Sequence, residues 1–206
     1  MSSDDHVFHA RWIIPISSEP INGGWVRVQR GRIVETGSGR GPTGDIDLGD
    51  VALLPQLINT HTHLEFSDCR CPIGTPGMPL AQWIGEVVAA RSRSTESNRD
   101  HVIELGLQEL VAAGTCLAAE ITTPPSNYAA TEGQLSLVTF AEVLGLNQER
   151  ADERFAAADT HCQLEGEAGI SPHAPYSTSI EVIMQCIAYA RDQRRPLAMH
   201  VAESPG

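Results

Sequence analysis

Hydrophobic and polar positions along the chain change their rhythm once, near residue 53. Before that point the apolar runs are short and end at turn residues. Residues 7–14 are apolar and stop at Pro15. Residues 25–30 alternate with period two, and residues 32–37 follow at once, so Arg30-Gly31-Arg32 reads as the tight turn of a β-hairpin. Residues 37–44 are Gly-rich, but these glycines neither follow a buried strand nor open a helix, which argues against a dinucleotide or phosphate loop. Residues 1–53 therefore predict a small antiparallel β module.

After residue 53 the pattern is strand then helix, repeatedly. Helical periodicity covers residues 80–93, with Trp83, Ile84, Val87 and Val88 on one side, and residues 98–113, which stop at Gly114. An Ala-rich helix is expected over 148–163, and another to about residue 192, capped by Ser177 or Thr178. Strands are expected at 53–66, 115–121, 135–143, 168–173 and 196–201. Five strands alternating with helices predict a parallel sheet with right-handed crossovers. The ionisable residues His61, His63, Glu120, Glu142, His173 and His200 fall at or near strand C-terminal ends. An α/β barrel builds its active site there, and so does an open doubly wound sheet; strand count does not separate the two, and the histidine pattern favours the barrel.

The run 53–66 carries the first chemistry. On a strand, alternate side chains share a face, so His61, His63 and Glu65 are expected to point the same way. Two imidazoles on one strand face can share a metal ion, although surface or core histidines are the ordinary reading of each one alone. His200 at the end of the fifth strand would be a third ligand, leaving a position for water. A bound divalent ion makes hydroxide available near neutral pH. Glu203, three residues after His200, is placed to take the water's proton and pass it on as a general base and then acid. His173 lacks a partner at metal-pair spacing and is expected to reach the substrate, the bland alternative being a turn histidine between prolines. Glu65 is a candidate to bind a substrate hydroxyl or amine, against a solvated rim carboxylate.

Composition narrows the setting. The 206 residues carry a net charge of −12, and no Lys/Arg cluster stands out, which argues against nucleic acid and anionic membrane as partners. A small-molecule substrate is expected, and a homo-oligomer stays open. Five cysteines without a Cys-x-x-Cys are expected to be free thiols in a reducing compartment. No signal-peptide pattern and no apolar run of about 20 residues is visible, so a soluble, cytoplasmic protein is expected.

The blocks Leu-Pro-Gln-Leu-Ile-Asn-Thr-His-Thr-His (54–63), Ser-Pro-His-Ala-Pro-Tyr-Ser (171–177) and Met-His-Val-Ala-Glu-Ser (199–204) resemble the amidohydrolase superfamily. The likeness is to its aminohydrolase branch, with the cytosine, guanine and adenosylhomocysteine deaminases and the triazine hydrolases. His-Thr-His-Leu-Glu-Phe-Ser, Phe-Ala-Glu-Val-Leu-Gly and His-Ala-Pro-Tyr-Ser look similar to aminodeoxyfutalosine deaminases in particular. The resemblance implies a (β/α)8 barrel preceded by part of a β-sandwich, with residues 1–53 as the sandwich portion and 54–206 as an incomplete barrel. It implies one divalent ion, Zn before Fe, held by His61, His63 and His200. Glu203 matches the proton shuttle, His173 a substrate-contacting histidine, and Glu65 a residue that helps select substrate. The implied reaction is hydrolytic deamination of a purine-like or other N-heterocycle. Ring-opening amide hydrolysis or dechlorination at the same type of site is the alternative.

Such a family has eight barrel strands, and this chain stops after the fifth. A sixth-strand His and an eighth-strand Asp have no counterpart here. The chain is therefore expected to be a fragment or truncated product with an exposed parallel edge, poorly stable or inactive alone, or a non-catalytic remnant.

Overall fold

The computed structural model describes residues 5–42, 46–92, 96–124, 126, 128, 133–165 and 167–203. Parts of the Gly-rich loop and of the polar break between the first two expected helices lie outside these residues, as does Ser204. The chain divides into two compact units, Met1–Gln56 and Leu57–Gly206.

In the first unit, β1 (Asp5–Ile13) pairs antiparallel with β2 (Ile21–Gln29), which pairs antiparallel with β3 (Arg32–Ser38). The β2–β3 turn has both central residues at positive φ, Arg30 at 51° and Gly31 at 71°. That is the mirror-image turn whose twist matches two antiparallel strands, and glycine takes the second position without strain. The short strands β4 (Ile46–Asp47) and β5 (Ala52–Leu53) run parallel to β1, so the module is mixed rather than purely antiparallel. The chain returns past the first strand in its own direction, a pairing that local alternation does not encode. Ala10, Ile13 and Val26 form the buried centre of this unit.

The second unit is a parallel sheet in sequence order: β6 (Leu57–Thr62), β7 (Thr115–Thr122), β8 (Ser136–Val143) and β9 (Gly169–Pro172). Helices α1 (Leu80–Arg91) and α2 (Glu96–Ala112) connect β6 to β7, α3 (Gln148–Leu164) connects β8 to β9, and α4 (Ile180–Asp192) follows β9. Ala141, Val143, Ala158, Cys162, Ile170, Val182 and Cys186 are almost wholly buried between β8, β9, α3 and α4. Small residues there let the helices lie close on the sheet. Asn147 caps α3, its side chain accepting from Glu149 N at 3.0 Å. Ser179, not Ser177 or Thr178, caps α4. The reason is competition: the Ser177 hydroxyl is engaged with His173 and the Ala174 carbonyl, and the Thr178 hydroxyl donates to Val143 O.

The expected fifth strand is only partly formed. Ile170 N donates to Pro196 O, Ala198 N to Ile170 O and His200 N to His173 O, at 3.1, 3.2 and 2.9 Å. These are parallel-type bonds on one side, with a single bridge between Ile170 and Leu197. Among the described residues no strand lies on the outer side of this segment. No helix is long and apolar enough to cross a membrane among the described residues.

Candidate active site

β6 ends at Thr62, so His61 is on the strand and His63 opens a one-turn 3-10 helix, Leu64–Phe66. Alternation therefore carries as far as the two histidines and fails at Glu65. The turn is anchored from the next strand: Leu64 N donates to both carboxyl oxygens of Glu120, at 3.1 and 2.9 Å, and the Leu64 side chain packs with Ile103, Leu107 and Ala118. Glu120 is 1% exposed, and burial pushes its carboxyl up to about 9 in spite of that bond.

His200 reaches the same place from the other end of the sheet. Its Nδ1 lies 3.1 Å from the His173 carbonyl oxygen, which can only accept, so Nδ1 carries the proton and Nε2 presents a lone pair. That Nε2 lies 3.3 Å from His63 Nε2. The ring of His61 stands edge-on to both, with centroids 5.0 Å from His63 and 4.9 Å from His200. One ring nitrogen from each of the three lies within 4.8 Å of the others. Burial lowers the pKa of His61, with a further contribution from His200; it holds His63 down at about 3, with His61 and His200 adding to the effect. Three imidazole nitrogens converging on one point are a donor set a divalent ion takes, so the residues fit a metal ion.

A second grouping, Glu142, His173 and His200, is also close enough to hold an ion. It shares His200, whose single free nitrogen faces His63, so the three-histidine set has the stronger claim on it.

His173 sits beside this centre, its ring 5.0 Å from that of His200. Its Nδ1 lies 2.6 Å from Ser177 Oγ, and Ser177 spends its own hydroxyl proton on Ala174 O. The His173 Nδ1 is therefore the donor, and Nε2 is left facing the pocket region 3.9 Å from Glu142 Oε1. Burial, then His200, lowers the His173 pKa. Glu203 is exposed and accepts a hydrogen bond from Tyr176 Oη at 2.6 Å on Oε2. Burial and that bond push Tyr176 up to about 12, which keeps it a donor.

His63, Glu142, His173, His200 and Glu203 line one cavity of about 760 Å3, whose opposite wall is the apolar face of α1 with Trp83, Ile84, Val87 and Val88. Trp83 is held in place by its Nε1 donating to Ile73 O at 3.0 Å. Glu65 is not on this wall. Its carboxylate is paired with the Arg91 guanidinium, which also lies 3.8 Å from Glu142 Oε2 and over the Phe66 ring, and it lines a neighbouring cavity of about 220 Å3. Arg91 and Tyr176 were not singled out by sequence reasoning. Nothing local marks an arginine at a helix end as a pocket residue, whereas Tyr176 stands within the His-Ala-Pro-Tyr-Ser block and could have been noted.

The amidohydrolase family profile matches residues 52–206. The chain belongs to the amidohydrolase family. It is 32% identical over 162 residues to an aminodeoxyfutalosine deaminase of Deinococcus radiodurans, covering 74% of this chain and 37% of that protein. Among solved structures, Helicobacter pylori aminofutalosine deaminase in complex with methylthio-coformycin aligns with a TM-score of 0.74 at 23% identity, covering 95% of this chain and 50% of that one. An adenosine deaminase from Xanthomonas campestris with bound Zn aligns with a TM-score of 0.70 at 21% identity, covering 98% and 50%. The chain thus spans half or less of these relatives, and the fold it shares with them is that part of an amidohydrolase barrel with its preceding β module.

Proposed function

We propose that this amidohydrolase is a metal-dependent aminohydrolase that releases ammonia from a purine-like heterocycle. The observation that carries the reading is the convergence of His61, His63 and His200 on one point beside a cavity that also presents His173 and Glu203. His61, His63 and His200 would hold the ion, with zinc favoured because a structural neighbour is described with bound Zn. When bound, such an ion supplies an activated water at neutral pH. Glu203 takes a proton from water and returns it to the departing nitrogen. Tyr176 holds one of its oxygens, which fixes the carboxylate and leaves the other for the transfer. His173 is held by Ser177 in the tautomer with Nε2 unprotonated and contacts the heterocycle. The overall change replaces a C–NH2 group with C=O, consuming water and releasing ammonia. The apolar face of α1 fits a flat ring and excludes bulk water from one side.

The names of the relatives, aminodeoxyfutalosine deaminase and adenosine deaminase, support a 6-aminopurine nucleoside as substrate class. A small-molecule substrate and a cytoplasmic setting go with the same reading; Glu65 serves it at one remove, holding Arg91 at the edge of the cavity. The test is ammonia release from a panel of aminopurine nucleosides by the zinc-supplemented chain. Glu203→Gln is expected to cut release by about 100- to 10,000-fold while zinc content stays the same. Chloride release from a chlorinated triazine, without ammonia from any nucleoside, would overturn deamination.

A further inference from the structure

One corner of the cavity is more polar than the proposed chemistry requires. Glu142, next to last in β8, has a side chain only 1% exposed, yet neither carboxyl oxygen has a hydrogen-bond partner among the described residues. The nearest cation, Arg91 Nη1, stands off at 3.8 Å, and the unprotonated His173 Nε2 lies 3.9 Å away. Arg91 Nε is buried beside it and is also unpartnered. A fold leaves such groups unmatched at a cost, and native proteins complete them with water, an ion or a ligand.

The corner offers acceptors from Glu142 and a donor from Arg91. A ligand group that completes it must both donate and accept. An ammonium group donates but is repelled by Arg91; a carboxylate accepts but is repelled by Glu142 and Glu65. A hydrocarbon leaves every orphan unmatched. Hydroxyls on adjacent carbons do both and carry no charge. We propose that Glu142 and Arg91 form a subsite that recognises a vicinal hydroxyl pair on the substrate, making Glu142 a specificity-determining residue. The inference rests on the cavity being the substrate pocket proposed above. Burial pushes the Glu142 carboxyl up to about 7 against the pull of Arg91, which marks an acceptor its own protein leaves short of donors.

The experiment measures binding rather than turnover. The zinc-supplemented chain is titrated with adenosine, 2′,3′-dideoxyadenosine, adenine and D-ribose, alongside Glu142→Leu and Glu142→Gln variants. Wild type is expected to bind adenosine at least tenfold more tightly than the dideoxy analogue, and Glu142→Leu to erase that preference while leaving adenine binding within twofold. Glu142→Leu removes a buried unmatched carboxyl, so its Tm is expected to hold or rise; Glu142→Gln, with the same shape, is the second variant should it not. An undiminished preference in both variants, or none in wild type, overturns the subsite while the deaminase reading stands. Glu142-dependent binding of ribose without any binding of adenine or the dideoxy analogue supports the subsite and removes the purine reading. No binding of any probe overturns both.

Discussion

His63 Nε2 and His200 Nε2 lie 3.3 Å apart, although 137 residues separate them and the sheet places β7, β8 and β9 between their strands. In a flat sheet, rows about 4.8 Å apart would set the first and fifth about 19 Å from each other. Two imidazoles cannot reach across that distance and meet tip to tip. The sheet must curl so that the C-terminal ends of its first and last rows face inward on a common point. That curvature belongs to a barrel and not to an open doubly wound sheet, whose edge strands diverge. One side-chain distance thus separates two architectures that strand counting leaves tied.

The first prediction concerns that pair. Replacing His200 with alanine removes one of three converging nitrogens and leaves His63 and His61 as a two-point site. Zinc affinity, measured by competition with a chromophoric chelator, is expected to fall by more than about 100-fold, since loss of even an orienting partner costs about 10–100-fold. His9→Ala, a histidine of β1, is expected to leave it unchanged. Equal losses in the two variants would remove the three-histidine site.

Glu203 is predicted to act on the proton and not on the ion. Glu203→Gln keeps the side chain's size and its acceptance from Tyr176, but cannot carry a proton between water and leaving nitrogen. If the zinc-supplemented chain deaminates, its kcat is expected to fall by about 100- to 10,000-fold with zinc stoichiometry unchanged. Tyr176→Phe, which only frees the carboxylate, is expected to cost less than Glu203→Gln. A Glu203→Gln chain that loses zinc instead would make this residue a ligand.

Gly106 in α2 tests how the His-Thr-His turn is held. Alanine there would gain about 1 kcal/mol of helix propensity. The added Cβ would run into Ser67 Oγ and come within 2.8 Å of Leu64 Cδ2, the residue that follows His63. Overpacking of this kind costs about 1–3 kcal/mol, so Gly106→Ala is expected to be net destabilising and to weaken zinc binding as well, by displacing the turn. Gly85→Ala in α1, where nothing lies within 4 Å of the new Cβ, is expected to be neutral or stabilising in the same thermal melts.

These tests track what could be read along the chain and what could not. The strand–helix alternation, the hairpin turn at Arg30-Gly31 and the helix stop at Gly114 are local patterns, and local rules recover them. His61, His63, His173, His200 and Glu203 were visible because each falls at a predicted strand end or within a recognisable block. Strand alternation does not carry to Glu65, because Glu120 captures Leu64 N and bends the chain after Thr62, and Glu65 pairs with Arg91 instead of sharing the histidines' face. Arg91 was invisible because its importance comes from two carboxylates, one 26 residues before it and one 51 after, which only the curled sheet brings to it. The fifth expected strand is reduced to a single bridge between Ile170 and Leu197, a pairing outcome that a sequence window does not encode.

Glu120 carries the last prediction, in the pH dependence of stability. Its carboxyl has a folded-state pKa of about 9 against an ordinary value of 4.5, because burial disfavours the charged form more than the Leu64 N–H favours it. Below about pH 4.5 both folded and unfolded chains hold this proton, and the group imposes no penalty. Between about pH 4.5 and about pH 9 the unfolded chain releases the proton while the folded chain keeps it, so stability falls as pH rises; above that range the loss is complete. Glu120→Gln retains an acceptor for Leu64 N and cannot ionise. Urea melts from pH 5 to 9 are therefore expected to show the variant gaining on the wild type with each step upward. A constant difference between the two across that range would mean that Glu120 is charged in the folded chain and that the Leu64 N–H outweighs its burial.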